Sequence, residues 1–229
     1  MLTLDRVRMI QGDFELRTDL EVATGARVAV MGPSGAGKST LLSVIAGFLP
    51  IAAGHIRMNG AGMETLRSAE RPVSIVFQDS NLFPHMSAFD NVALGLRPDL
   101  RLDDAGRESV GAALDRVGLA GFGNRKPRAL SGGQQSRVAL ARVLMRNRPL
   151  LLLDEPFAAL GPALKRDMLD LVDEIASEQD LTVLMVSHDP EDARHFSRQV
   201  IVVADGVAHA PQETGSVLDD PPEALRKYL

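Results

Sequence analysis

At 229 residues and 45% hydrophobic content the chain can bury one large domain or two lobes, and a formal net charge of −5 with scattered Lys and Arg argues against general nucleic-acid binding. The absence of cysteine excludes disulfide, zinc-thiolate and thiol chemistry and suits a reducing compartment. The first residues, Met1-Leu2-Thr3-Leu4-Asp5, lack the basic-then-apolar pattern of a signal peptide, and no apolar run approaches the roughly 20 residues that span a bilayer, so work at a membrane would need a partner.

Short apolar runs alternate with helical patterns along the chain, which predicts an α/β fold with a mostly parallel sheet. The region up to about Gly25, together with residues 54–60, reads as antiparallel strands and a turn. Residues 27–31 read as a buried strand, 38–48 as the helix after it, and 73–77 as a second strand. From Pro84 to Asn147 the β-branched runs give out and helices are expected over 103–117 and 132–147, so residues 84–147 are expected to form an inserted helical part. Residues 150–153 are wholly apolar, as in a central strand covered on both faces, and 181–186 and 199–203 add two more strands. The tail, 215–229, carries Pro and acids and a short helical end.

The chemistry begins with Gly32-Pro33-Ser34-Gly35-Ala36-Gly37-Lys38-Ser39, which fits G-x-x-x-x-G-K-[ST] between a strand and a helix and has Thr40 behind it. Its glycines let backbone N–H groups turn inward around phosphates, and the helix N-terminus adds favourable partial charge. Lys38 is placed to reach the β- and γ-phosphates and the Ser39 hydroxyl to sit on Mg²⁺. Asp154 and Glu155 follow the apolar strand at 150–153, at the carboxyl end of a parallel sheet where such folds hold ligands. Asp154 is expected to hold Mg²⁺ through its water shell and Glu155 to orient or deprotonate an attacking water. Adjacent strand residues face opposite ways, so the chain must turn there, and Pro156 is the expected cause. Ser131, three residues before Gln134, reads as a capping box opening the helix at 132. Capping does not call for two glycines, Gly132 and Gly133, which weaken a first turn but permit close approach to an anion.

Together the phosphate loop, Leu130-Ser131-Gly132-Gly133-Gln134 and Leu151-Leu152-Leu153-Asp154-Glu155-Pro156 resemble the nucleotide-binding subunits of ATP-binding cassette (ABC) transporters over essentially the whole chain. The resemblance implies a P-loop NTPase fold with a RecA-like core, an antiparallel β part and an inserted helical part. It implies one ABC ATPase domain, with about 1–83 and 148–229 as core. It implies a head-to-tail dimer of two copies in which each ATP is held by the phosphate loop of one subunit and by Ser131, Gly132 and Gly133, with Gln134, of the other. Gln78 then corresponds to a glutamine that contacts Mg²⁺ and the attacking water, and His188 to a histidine that contacts the γ-phosphate.

Two departures stand out. The aromatic that stacks on adenine in the family aligns with Gln11, with Phe14 the nearest ring, and Gly161 stands where an aspartate usually links the two ATP sites. The apolar segment 78–96, with Leu82, Phe83, Pro84 and Met86, resembles the groove that receives a short helix from a transmembrane permease. Among the family, residues 70–74, 77–78, 81–85, 94–98 and 151–157 are most similar to bacterial thiamine importers, with polyamine or ferric-iron import next. That implies a peripheral protein on the cytoplasmic face of the inner membrane, served indirectly by a periplasmic solute-binding protein and using no nucleic acid. A soluble ABC ATPase and a P-loop kinase are the readings from other classes.

Overall fold

Strands covered on both faces need unbroken apolar runs, and residues 28–31, 150–153 and 183–186 supply them. The structure is a computed structural model that describes residues 1–78 and 81–226. In chain order it contains β1 (Leu2–Gln11), β2 (Phe14–Val22), β3 (Arg27–Met31), α1 (Lys38–Ala46), β4 (Ala53–Met58), β5 (Ala61–Gly62) and β6 (Val73–Val76). Helices α2 (Ala88–Leu96), α3 (Asp104–Arg116) and α4 (Gly132–Leu144) follow, then β7 (Leu150–Asp154), α5 (Pro162–Glu178), β8 (Thr182–Val186) and α6 (Pro190–Phe196). The chain closes with β9 (Gln199–Ala204), β10 (Val207–Ala208), β11 (Gln212–Glu213), α7 (Thr214–Asp219) and α8 (Glu223–Arg226). There are two compact units, one of Met1–Val73, Pro149–Asp154 and Asp173 onward, the other of Ser74–Arg148 and Glu155–Val172.

In the first unit the strand order is β5-β4-β1-β2-β10-β9-β3-β8-β7, with β11 on β9. β3, β7, β8 and β9 run parallel, and β8 is buried throughout. The antiparallel part behaves as a half-covered sheet should: Leu16, Thr18, Leu20 and Val22 of β2 are buried while Arg17, Asp19 and Glu21 between them are exposed. β1 and β2 meet through the two-residue turn Gly12–Asp13, with Gly12 at φ 59°. The helix that follows β3, α1, stops two residues before the expected Phe48 because Gly47 turns left-handed at φ 82° and its amide and that of Phe48 close on Val44 O and Ser43 O. Arg71, only 5% exposed, adds to this end by donating Nη1 to Val44 O and Ile45 O, both at 2.8 Å.

The second unit gathers α2, α3 and α4 around Val92, Val110, Leu114, Leu119, Val138 and Ala141. Both expected helices are present, slightly shortened: Asp103 caps α3 by accepting from Gly106 N at 2.8 Å, and α4 ends at Leu144. α2 lies within the expected helical part, at residues where no helix was expected. A capping box of Ser87 and Asp90 opens it, and at Gly95 it crosses α4 so closely that a Cβ would lie 2.1 Å from Arg142 O. The strand expected over 73–77 stops at Val76, and the one expected from Leu181 starts at Thr182, because Leu181 N still bonds back to Ala176 O. The expected helical tail is α7 and α8, and residues 227–229 of that expectation lie outside the described residues.

Candidate nucleotide site

Three neighbouring strands of the first unit deliver their carboxyl ends to one edge: Asp154 of β7 is in register with Val186 of β8, and Val186 with Val30 of β3. β3 runs into the phosphate loop, β7 ends on Asp154 itself, and β8 is followed by Ser187 and His188. This is the edge at which parallel α/β sheets hold ligands.

The loop from Gly32 to Gly37 has a shape only glycine permits. Gly32, Gly35 and Gly37 have φ of 152°, 77° and 105°. At Gly32 a Cβ would also lie 2.0 Å from Val203 O, and at Gly37 it would lie 2.7 Å from Cζ of Phe14. Ser34 and Gly35 are exposed at the tip, with Pro33 and Ala36 half-buried beside them. α1 then starts on Gly37, which provides no side-chain cap, so its amide end is presented to whatever anion the loop holds. Lys38 is 5% exposed, and its Nζ donates to Gly32 O at 2.7 Å and Pro33 O at 2.9 Å. Its ammonium is thereby held inside the loop it belongs to. Thr40 follows, half-buried, one residue beyond Ser39.

The Ser39 hydroxyl donates to Asp154 Oδ1 at 3.0 Å. A hydroxyl and a carboxylate in contact beside a phosphate loop are the hard oxygen donors Mg²⁺ takes, usually with phosphate oxygens and water completing its shell. The residues therefore fit that ion. Among the described residues no group of three or more His, Asp or Glu could enclose a metal without such help.

His188 is exposed, and the residue before it anchors the loop: buried Ser187 donates Oγ to Asp192 Oδ2 at 2.9 Å and accepts from Asp189 N at 3.2 Å. Phe14, not Gln11, is the ring nearest the loop. The two face each other across the β1–β2 turn, Gln11 exposed and Phe14 half-buried with its Cζ at Gly37.

The remaining candidates lie in the second unit. Gln78 is exposed, two residues past β6. Glu155 is half-buried with φ 49°, a left-handed backbone that costs a non-glycine residue about 1–2 kcal/mol. The expected turn after Asp154 is thus made at Glu155 itself, ahead of Pro156. Ser131 caps α4 as expected: its Oγ accepts from Gln134 N at 3.3 Å and its own amide donates to Gln134 Oε1 at 3.0 Å. Ser131 and Gly132 are exposed, whereas Gly133 is buried. Of the residues expected to line a groove, Leu82 and Met86 are half-buried, with Leu82 packed against the core of the helices, whereas Phe83, at 45%, and Pro84 are exposed. A single sequence offered no signal for which of the four would face inward.

The sequence matches the family described as ABC transporter over residues 17–158. A relative from Cereibacter sphaeroides, described as thiamine import ATP-binding protein ThiQ, is 59% identical and covers 100% of this chain and 99% of its own. One from Ruegeria, with the same description, is 53% identical over 100% of this chain and 99% of its own. Among solved structures, the dimeric structure of a bacterial ABC transporter cassette superposes with a TM-score of 0.81 at 32% identity, covering 93% of this chain and 99% of that one. A dimeric post-hydrolysis state of an ATP-binding cassette bound to ADP and Pi gives a TM-score of 0.81 at the same 32% identity.

Proposed function

We propose, from the premise that this chain belongs to the ABC transporter family, that it is the ATP-hydrolysing subunit of a bacterial importer whose solute is thiamine or a phosphate ester of it. The observation that carries the reading is the set of adjacent strand ends: Lys38 gathered into a glycine loop, with Ser39 and Asp154 in contact beside it.

Gly32, Pro33, Ser34, Gly35, Ala36 and Gly37 wrap the phosphates of ATP, and the amide end of α1 at Lys38, Ser39 and Thr40 receives their charge. The Lys38 ammonium exchanges its bonds with the Gly32 and Pro33 carbonyls for β- and γ-phosphate oxygens. Ser39 and Asp154, joined by Gln78 as the family resemblance implies, would hold Mg²⁺, and the ion when bound would supply positive charge against the β- and γ-phosphates. Glu155 accepts a proton from the attacking water, whose oxygen bonds to the γ-phosphorus while the bond to the β-phosphate oxygen breaks, leaving ADP and inorganic phosphate. His188 donates to the γ-phosphate.

Each such site is completed by a second copy of the chain, whose Ser131, Gly132, Gly133 and Gln134 present a helix start to the γ-phosphate. The dimer docks on transmembrane permease subunits at the cytoplasmic face of the inner membrane, and a periplasmic binding protein supplies the solute to those subunits. No helix among the described residues is long and apolar enough to cross a membrane.

The test is Glu155→Gln, which keeps the shape of the side chain and removes its basicity. We expect the ATPase rate to fall at least about 100-fold and an ATP-bound dimer to accumulate on size-exclusion chromatography. A variant that stays monomeric in saturating ATP and Mg²⁺, or that hydrolyses at the wild-type rate, would overturn the assignment.

A further inference from the structure

Gly132 and Gly133 stand side by side at the start of α4, yet different surroundings keep them free of side chains. Neither has a left-handed φ, so the helix itself does not require glycine at either place. At the exposed Gly132 the nearest neighbour of an added Cβ is Leu160 Cδ2 at 3.9 Å, an ordinary contact distance. At the buried Gly133 a Cβ would lie 2.4 Å from Leu164 Cδ2, 3.3 Å from its Cγ and 3.5 Å from its Cδ1. Leu164 fills the space that the missing side chain leaves.

Leu164 lies in the first turn of α5, nine positions after Glu155, in the same unit as α4. The chain between them is tightly wound. Ala158 N bonds to Glu155 O, Leu160 N to Phe157 O, Lys165 N to Gly161 O, and Phe157 is 4% exposed. These bonds tie the backbone from Glu155 to Lys165, on which the half-buried Leu164 is carried.

We infer that Leu164 is a positioning residue: seated in the gap at Gly133, it locks the first turn of α4 to the Glu155–Leu164 segment. The glutamate that serves a chain's own ATP and the helix start that the chain offers to its partner's ATP then move as one body. This deepens the proposed function and rests on it. It gives the two ATP sites a route of communication inside each chain, independent of the carboxylate that Gly161 lacks.

The test is a size exchange in the full-length protein. Wild type, Gly133→Ala, Leu164→Ala and the double variant are compared for ATPase rate against ATP concentration and for thermal unfolding. Gly133→Ala should lower kcat about 10-fold or more, and the double variant should recover at least about 3-fold of that loss, because the smaller residue 164 makes room for the new methyl. Leu164→Ala alone should lower kcat and the Hill coefficient while binding of a fluorescent ATP analogue stays within about twofold, a split that loss of general stability would not produce. Leu164→Val in the Gly133→Ala background provides a second exchange should the alanine pair fold poorly.

A double variant no better than Gly133→Ala would mean that the methyl acts on ATP rather than on Leu164, and would overturn the inference. So would a Leu164→Ala protein with wild-type kcat and Hill coefficient. The melts need no ATP: if Gly133→Ala lowers the melting temperature and trimming residue 164 does not relieve it, the packing premise fails. A wild type that hydrolyses nothing would overturn the proposed function and the coupling with it, while the melts would still decide whether the residues interlock.

Discussion

Gly161→Asp puts a carboxylate where the family resemblance expects one. Gly161 is exposed, a Cβ there meets nothing within 4 Å, and its φ is not left-handed, so the new side chain enters without strain. It immediately precedes Pro162, the first residue of the 17-residue helix α5, and its carbonyl accepts from Lys165 N. That is the capping position, where aspartate is better than glycine by a few tenths of a kcal/mol, roughly. The lower backbone entropy of the unfolded chain adds about 0.4–1 kcal/mol. The helix dipole acts on the same carboxylate and is not counted again, which leaves a gain of about 1 kcal/mol and, at this chain length, about 2–4 °C in melting temperature. Differential scanning calorimetry checks that value, and an unchanged or lower melting temperature would refute the capping reasoning. In the dimer the same carboxylate should raise the Hill coefficient of ATP hydrolysis, since the absent aspartate is the reason to expect weak coupling in the natural chain. A stabilised variant with unaltered rate and cooperativity would separate the two effects and sink the coupling part.

Phe14→Ala should weaken ATP binding by about 1 kcal/mol, roughly fivefold in Kd by fluorescence titration, whereas Gln11→Ala should leave it within about twofold; the reverse order would show that the ring beside Gly37 is not an adenine platform. Leu82→Arg removes a half-buried apolar side chain from its packing on the helical core and should cost about 1–3 kcal/mol, while Phe83→Arg should fold, hydrolyse ATP and lose stimulation by the permease. A Leu82→Arg protein as stable as wild type would contradict that packing. Glu15 lies between Arg17 at 2.6 Å and Arg8 at 2.5 Å, and hydrogen bonds from these, Arg17 first, lower its pKa from 4.5 to about 2. A depressed carboxylate stabilises the fold above its unfolded value and loses that contribution as pH falls through its folded value. Between about pH 4.5 and 2, then, Glu15→Gln should show a flatter loss of stability than wild type in acid melts, and parallel curves would refute it.

Features held by short-range physics could be read before any coordinates. Residues 28–31, 150–153, 183–186 and 200–203 are apolar runs with nowhere to go but a covered sheet, and each lies in a strand. The glycine pattern of the phosphate loop and the Ser131–Gln134 box are local too, because their hydrogen bonds close within a few residues. Three-dimensional neighbours settled the rest. α2 was missed because Gly95 weakens its helical pattern, and that glycine answers to a crossing at Arg142 in another helix. Which of Leu82 and Phe83 faces inward depends on a core assembled from residues 88–141. Phe14 is near the phosphate loop only because β2 passes Gly37, and Gly133 is bare because Leu164, 31 positions away, fills its place. Composition, period and turn chemistry act over a few residues and so are written along the chain. Packing against residues remote in sequence is not, and at this site it decides which ring lies at Gly37 and which leucine lies at Gly133.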